Sequence, residues 1–413
     1  MTKSVVIIGG GLVGLSSALF LNEAGCEVTI VDAKAAGSGA SRGNAGWMCT
    51  TMVAPLPQPG VVMGTIKSLT NPTRALRVDP KAVPSLTPWL LRFAQHCTAK
   101  HHTAGRRALA ELNRHNHALL DHMVDAGVVA AMTKEVVVPF HDVRMAEHFL
   151  HGLHAMEEFG GTTPEMLDGE GMRALVPALT DHINAGFLVP GDRALDPRVF
   201  VDSLIDVLKG RGVQFVEHAD ITDVTTRGAG RIESVITTQG VYDADEFVLA
   251  AGAGSRLVAK HFDLKLAVVP GQGYNVALPT DDGLQHPMIF EEAHFVATPF
   301  ADRIRLGGTM EFAGDHPAFD QRRVDAILRS MRDFLHLDPT QHSETWAGSR
   351  PMSADGLPFL GRPAHWNNMV VATGHGMWGL SLAPSSGAVV SELIIDGKAS
   401  VDITPLHPDR FSR

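Results

Sequence analysis

Gly9, Gly11 and Gly14 fit the G-x-G-x-x-G spacing, and Asp32 stands a short distance downstream. At such a spacing the first glycine makes a tight turn, the second lets backbone amides reach a pyrophosphate, and the third lets a helix pack closely on a strand. The pyrophosphate then meets the positive end of that helix. A carboxylate at Asp32 accepts hydrogen bonds from both ribose hydroxyls and repels a 2′-phosphate. Glycine triplets also occur in ordinary turns, so the argument rests on the elements around them. The apolar run Ser4 to Ile8 reads as a buried strand, Leu12 to Ala24 as a helix, and Val28 to Val31 as a second strand closed by Asp32. Together these predict a dinucleotide site.

Other reactive side chains are less ordered. His148, His151 and His154 lie at i, i+3 and i+6 and so drift across one helix face. With 21 histidines in the chain such runs arise by chance, and no acidic pattern supports them, so no metal is expected. Cys26, Cys49 and Cys97 show no C-x-x-C spacing and no disulfide framework. A reducing, cytoplasmic setting follows as the expectation.

A chain of 413 residues is long for one simple core and fits two intertwined domains. Its apolar share of 45% allows a large interior. The net charge of −10, with no basic patch interleaved with aromatics, argues against a nucleic-acid partner. The first strand begins so near Met1 that no signal peptide is expected. Leu12 to Leu21 is too short to span a bilayer, and no other segment is expected to reach spanning length.

Beyond Asp32 the run Ala33 to Gly46 has almost no side-chain volume, which suits a backbone wrapped around a bound group. Ala54 to Pro59 and Asn71-Pro72 mark a departure into a second domain. Pro88 to Gly127 is helical in character, and another helix is predicted over Val143 to Phe159. Asp196-Pro197 starts a helix running through Leu208. Strands follow at 213–216, 232–238 and 246–250, the last opening onto Ala251 to Ser255. Leu266 to Phe312 is rich in strands, and Arg322 to Phe334 is a helix. Met369 to Thr373 is a buried strand before the glycine turn 374–379 and a helix over Ser386 to Ile395.

Four blocks carry a family resemblance: VVIIGGGLVGLSSA with Asp32, SRGNAGWM at 41–48, FVLAAGAGS at 247–255, and WAGSRPMSADGLPFLG with ATGHGMWGLSLAPSSG near the C-terminus. In this order, over essentially the whole chain, they resemble the D-amino-acid oxidase superfamily of flavoproteins, and most of all its bacterial D-amino-acid dehydrogenases. The resemblance implies an α/β fold. Residues 1–60, 195–260 and 345–413 would form a discontinuous Rossmann-like FAD-binding domain. Residues 61–194 and 261–344 would form an α+β substrate domain built on an antiparallel sheet.

By the same resemblance Gly9, Gly11, Leu12, Val13 and Gly14 hold the FAD pyrophosphate, and Asp32 holds the adenosine ribose where most relatives have Glu. Ser41, Asn44, Ala45 and Gly46 run past the flavin, Ile221 meets adenine, and Gly252 sits against the cofactor. Gly376, Met377, Trp378, Gly379, Leu380 and Ser381 bring a helix N-terminus to the flavin pyrimidine ring, where reduced flavin gathers negative charge. Relatives with a cysteinyl flavin carry the cysteine soon after Arg350. Here Pro351 and Met352 stand there, so the FAD is expected to be non-covalent.

Oxidising an amino acid to an imino acid moves a hydride from Cα to flavin N5, which leaves the protein to orient and to balance charge. A carboxylate anchor is needed, and Arg350 matches the superfamily's arginine. Tyr274, which the resemblance puts on a flavin-facing strand, is either a second carboxylate ligand or a core residue. Arg305 is a further anchor candidate ranked below Arg350, its strand leaving a solvent-facing side chain open. His375 is expected to pack or hydrogen-bond nearby, because a neutral amine gives up hydride without an enzyme base.

The expected reaction is oxidative deamination of D-amino acids to 2-oxo acids and ammonia. Glycine, sarcosine or a cyclic imino acid such as a hydroxyproline are alternative substrates, and a partner-dependent flavoprotein subunit is an alternative role. An NAD-dependent dehydrogenase shares the first motif but is opposed by the C-terminal glycine block. Quinone or oxygen as acceptor, peripheral contact with the inner face of a membrane, and oligomeric state stay open. Val61-Val62-Met63 fits either a lid or a loop facing quinone in a membrane.

Overall fold

Valine and isoleucine runs buried on both faces build a six-stranded sheet around the first glycine turn. In spatial order its strands are Phe359–Gly361, Met369–Thr373, Glu246–Leu249, Ser4–Ile8, Glu27–Val31 and Gln214–Val216. All neighbours run parallel except Phe359–Gly361 against Met369–Thr373. The computed structural model describes residues 2–412 apart from 50–51, 69–73, 134, 155–156, 158–162, 229 and 316. Helix Leu12–Glu23 follows the first strand and lies against helix Gly379–Ile395. There a Cβ on Gly387 would sit 2.7 Å from the Ser16 carbonyl carbon, so glycine sets how closely the two helices approach.

A second, nine-stranded sheet runs Thr345–Ser353, Val268–Leu278, Ile304–Phe312, Phe295–Pro299, Met288–Phe290, Val136–Phe140, Ala185–Val189 and Leu167–Asp168, with Leu76–Val78 beside Ile304–Phe312. Its pairs are antiparallel except at Met288–Phe290 with Val136–Phe140 and at Leu76–Val78. The α/β class with a mainly antiparallel second sheet thus follows the expected plan. A three-stranded meander over Ile221–Thr226, Ile232–Thr237 and Gly240–Asp243 completes the cofactor side.

Several details differ from the sequence expectation. Strand Thr345–Ser353 pairs along its length with Val268–Leu278, so residues 345–353 belong to the substrate sheet. The expected helical tract divides into Val83–His96, Ala99–Asn113 and Asn116–Asp125. Leu109, Leu112, Leu120 and Met123 of the latter two join the apolar core of the cofactor side, though they lie within 61–194. The C-terminal helix begins at Gly379 rather than Ser386. Pro384 forgoes one backbone bond inside it, and burial of nearly every residue from Leu380 to Val390 sustains the helix.

The stretch Gly376–Ile395 is also long and apolar enough to cross a membrane, contrary to expectation, yet two thirds of it is packed inside the protein. The predicted helix over 143–159 is seen as Val143–His154, its remainder falling largely outside the described residues, as does Asn71-Pro72.

Candidate active site

At the first turn Gly9 has φ +116°, and a Cβ there would lie 2.4 Å from the Ala250 carbonyl oxygen. A Cβ on Gly14 would lie 2.0 Å from the Gly9 carbonyl oxygen, so these two glycines serve the protein's own packing. Gly11 differs: its Cβ would meet only the Ser41 hydroxyl, at 3.5 Å. Leu12 N–H donates to Ser41 Oγ at 3.0 Å. The first-turn amides of Gly11 and Val13, beyond reach of any helical carbonyl, border an open cavity. Asp32 accepts from Gly10 N–H and Lys34 N–H, both at 2.7 Å, and so ties the turn as well as lining the cavity. Burial pushes its carboxyl up, and those two amides oppose the push.

The 33–46 run closes over this turn. Ser41, Asn44 and Ala45 line the cavity, and Gly46 stands behind them with φ +91° and its carbonyl held by Leu195 N–H. The loop is fixed from below. Thr298 Oγ1 donates to the Ala45 carbonyl, Asn275 Nδ2 to that of Gly43, and Arg305 Nη1 to those of Arg42 and Asn44 at 3.2 and 2.7 Å.

Arg305 is therefore corrected from substrate anchor to loop support. It is buried, lies over the Phe300 ring and does not border the cavity. Burial lowers its guanidinium to about 10. Trp346 adds a lid over two glycines, since a Cβ on Gly43 or Gly348 would come within 2.4 or 1.9 Å of its ring.

Arg350 sits on the cavity face of the second sheet. Its Nη1 donates to the Thr309 carbonyl at 3.0 Å, and no carboxylate among the described residues pairs with it. Burial, unopposed by any neighbouring charge, lowers it to about 10. A buried cation without a counter-charge is costly unless an anion arrives. The strand that meets it is bulged, with Thr309 and Met310 facing the single residue Gly273, and Thr309 takes φ +59°. For a β-branched residue that conformation is strained, and here it aims the carbonyl at the guanidinium.

Tyr274 borders the same cavity, but its hydroxyl donates to Glu311 Oε2 at 2.8 Å and accepts from Gln272 at 2.7 Å. Glu311 is paired in turn with Arg77. Burial pushes the phenol up to about 12. With its one proton committed, Tyr274 fits the core residue of its two expected roles rather than the carboxylate ligand, and it braces the strand.

The C-terminal turn Gly376–Trp378 and the start of helix Gly379–Ile395 line the far wall through Gly376, Met377, Trp378, Gly379 and Leu380. Ser381 does not; it donates to the Trp47 carbonyl and accepts from Cys49 N–H, tying the strand behind the loop. Gly252, with φ +55° and open space where a Cβ would go, and Ile221 complete the lining. His375 is buried, its Nε2 is 2.8 Å from Ser386 Oγ, and burial lowers it to about 3. That suits an uncharged packed ring.

The cavity measures about 1710 Å³ and runs from Asp32 and Ile221 to Arg350. An ordinary small-molecule pocket has roughly 300–1,000 Å³, so there is room for a dinucleotide and a small substrate. None of the three cysteines borders it. The glycine turn, the free first-turn amides and the C-terminal helix N-terminus all fit FAD.

The profile of the FAD dependent oxidoreductase (DAO) family matches residues 4–393. This chain belongs to that family. It is therefore a flavoenzyme that uses FAD. D-amino acid dehydrogenase of Methylobacterium sp. (strain 4-46) is 34% identical over 403 residues, covering 94% of each chain. That of Bradyrhizobium diazoefficiens is 29% identical over 419 residues, covering 99% of each. Among solved structures, glycine oxidase from Geobacillus kaustophilus superimposes with a TM-score of 0.77 at 20% identity, over 99% of each chain. L-proline dehydrogenase from P. horikoshii gives 0.75 at 19%, over 100% of this chain and 98% of its own. At such identities these two structures share the fold alone.

Several lining residues of this flavoenzyme escaped the sequence reading. Gly273 and Thr309 carry no local motif, and only strand register brings them to Arg350. Trp346 lay in a quoted block, yet nothing in the block said that its ring covers Gly43. Glu291 and His294 sit in a turn whose register no sequence pattern fixes.

Proposed function

We propose that this flavoenzyme oxidatively deaminates D-amino acids to 2-oxo acids and ammonia. The observation that carries the reading is Arg350, a guanidinium inside the FAD cavity with no counter-charge among the described residues. Its planar fork suits the carboxylate that every amino acid presents. The resemblance to enzymes named D-amino acid dehydrogenase supports the D-configuration.

Bound FAD supplies the two-electron acceptor for the hydride from Cα. Arg350 holds the carboxylate, Thr309 holds Arg350, and Trp346 and Ala45 line the cavity beside them. No buried side chain is needed as base. His375 is held uncharged against Ser386, and the amine proton leaves toward solvent before the imino acid is hydrolysed. The N-terminus of helix Gly379–Ile395 favours negative charge at the wall it lines.

We assign the electron acceptor to the quinone class and its approach to the side of the cavity lined by Pro59, Gly60 and Val61, taken as its mouth, beside the exposed Met63. A cytoplasmic protein touching the inner membrane face is consistent with that mouth. Anaerobic bleaching of the flavin by D- and L-amino acids, glycine, sarcosine and proline tests the substrate. Re-oxidation by oxygen against a soluble quinone tests the acceptor. Bleaching by L-amino acids alone would overturn the stereochemistry, and rapid peroxide formation would overturn the acceptor.

A further inference from the structure

Strand register puts a second charge opposite Arg350. Tyr274 pairs with Gly308, Gly308 with Phe295, and Phe295 with Phe290, forming one row across four strands. Tyr274, Phe295 and Phe290 of that row are buried in one apolar cluster. The next residues along the chain are Gly273, Thr309 in the bulge, and His294 and Glu291 in the turn that joins Met288–Phe290 to Phe295–Pro299. All four line the FAD cavity, and Arg350 lies over the Gly273–Thr309 end of their row. Phe290, just before Glu291, is two strand spacings from Gly308, just before Thr309, roughly 10 Å at ~4.8 Å each.

Glu291 makes no hydrogen bond or ion pair among the described residues. The other cavity-lining acids are differently placed: Asp315 holds Arg256, Asp32 holds backbone amides, and Asp220 lies at the Ile221 end. Burial pushes the Glu291 carboxyl up, and His294 in the same turn opposes the push. Met145, Phe149, Ile289 and Val296 are apolar members of the same lining. A lysine or arginine in extended form carries its cation roughly 7 Å from its carboxylate, and a hydrogen bond at each end adds roughly 3 Å apiece. The two strand ends, roughly 10 Å apart, are separated by the same order as the roughly 13 Å that such a substrate and its two hydrogen bonds would span.

We propose that Glu291 binds a cationic side-chain head group, which makes basic D-amino acids with ω-amino or ω-guanidino groups the preferred substrates. The proposal rests on the D-amino-acid reading above.

The test compares D-lysine and D-arginine with the neutral D-norleucine in anaerobic flavin reduction by the holoenzyme. A parallel titration follows the flavin spectrum with the unreactive pair 6-aminohexanoate and hexanoate. The wild type should favour the cationic member of each pair by roughly 10- to 100-fold, and Glu291→Gln should reduce that ratio about as much. Glu291→Lys should turn preference toward D-glutamate. Equal treatment of the two pairs by the wild type, or an unchanged ratio in a flavin-loaded Glu291→Gln protein, overturns the proposal. If Glu291→Gln does not fold, the wild-type ratios alone decide. Reduction by D-norleucine with none by D-lysine defeats the Glu291 assignment only, whereas reduction by no D-amino acid defeats the parent reading with it.

Discussion

Gly273 and Arg350 are complementary in shape: a Cβ on Gly273 would lie 2.2 Å from Arg350 Cζ, so the guanidinium lies in the space a side chain would take. The anchor is thereby held flat on the sheet, with Thr309 fixing one nitrogen. Arg350→Ala should cost on the order of 2–5 kcal/mol in kcat/KM, roughly 30- to 4000-fold, and Arg350→Lys less. Gly273→Ala should imitate part of this loss by displacing the fork. Flavin content should stay normal in all three. Near-normal reduction kinetics in a flavin-loaded Arg350→Ala protein would remove Arg350 from the site.

The two kinds of glycine in the first motif should separate experimentally. Gly11→Val should fold and lose FAD, because the space it fills belongs to the cavity. Gly14→Ala should lower the melting temperature, since its Cβ meets the Gly9 carbonyl at 2.0 Å. Absorbance at the flavin band and thermal melts of the two variants check this. A Gly11→Val protein with full flavin would contradict the assignment.

Arg305→Gln and Tyr274→Phe test the two reassigned residues. The first withdraws donors from the Arg42 and Asn44 carbonyls and should weaken FAD retention. The second leaves the buried Glu311 short of a hydrogen bond and should cost about 1–3 kcal/mol of stability. Neither should raise the substrate KM as Arg350→Ala does. An equal KM effect from either would restore it as an anchor.

Acid stability should depend on His375. Its folded-state value of about 3 lies below the ordinary 6.5, so between these values the unfolded chain binds the extra proton. Stability therefore falls as pH drops through that window. From about pH 6.5 to 4.5 this one ring would contribute a loss on the order of 2–3 kcal/mol. Denaturation midpoints of flavin-loaded wild type and His375→Gln at both pH values should show a shallower acid loss in the variant.

Much of this was legible in the sequence because the cofactor half is written in local patterns. The strand, glycine turn and helix from Ser4 to Glu23, and the Met369–Thr373 strand before its turn, follow from residues adjacent in the chain. Arg350 stood out beside such a block. The substrate half depends on register between distant strands. The row from Gly273 to Glu291 exists only once the strands pair, and the bulge at Thr309 shows in no composition or period. The roles of Tyr274 and Arg305 stayed open for the same reason. Their strands were found, but the partners that occupy their polar atoms lie across the sheet, at Glu311, or across the fold, at Arg42 and Asn44.

The first sheet draws its strands from both ends of the chain, with Ser4–Ile8 beside Glu246–Leu249 and Met369–Thr373 one place further. A ribosome therefore delivers the glycine turn long before the strand that flanks it, and the helix that packs on its first helix comes almost last. Pairing Val5 with Glu246 closes a loop of about 240 residues, an arrangement that folds slowly. FAD should be captured only after synthesis is nearly finished, so a nascent chain stalled near residue 365 should not retain the cofactor while the released chain does.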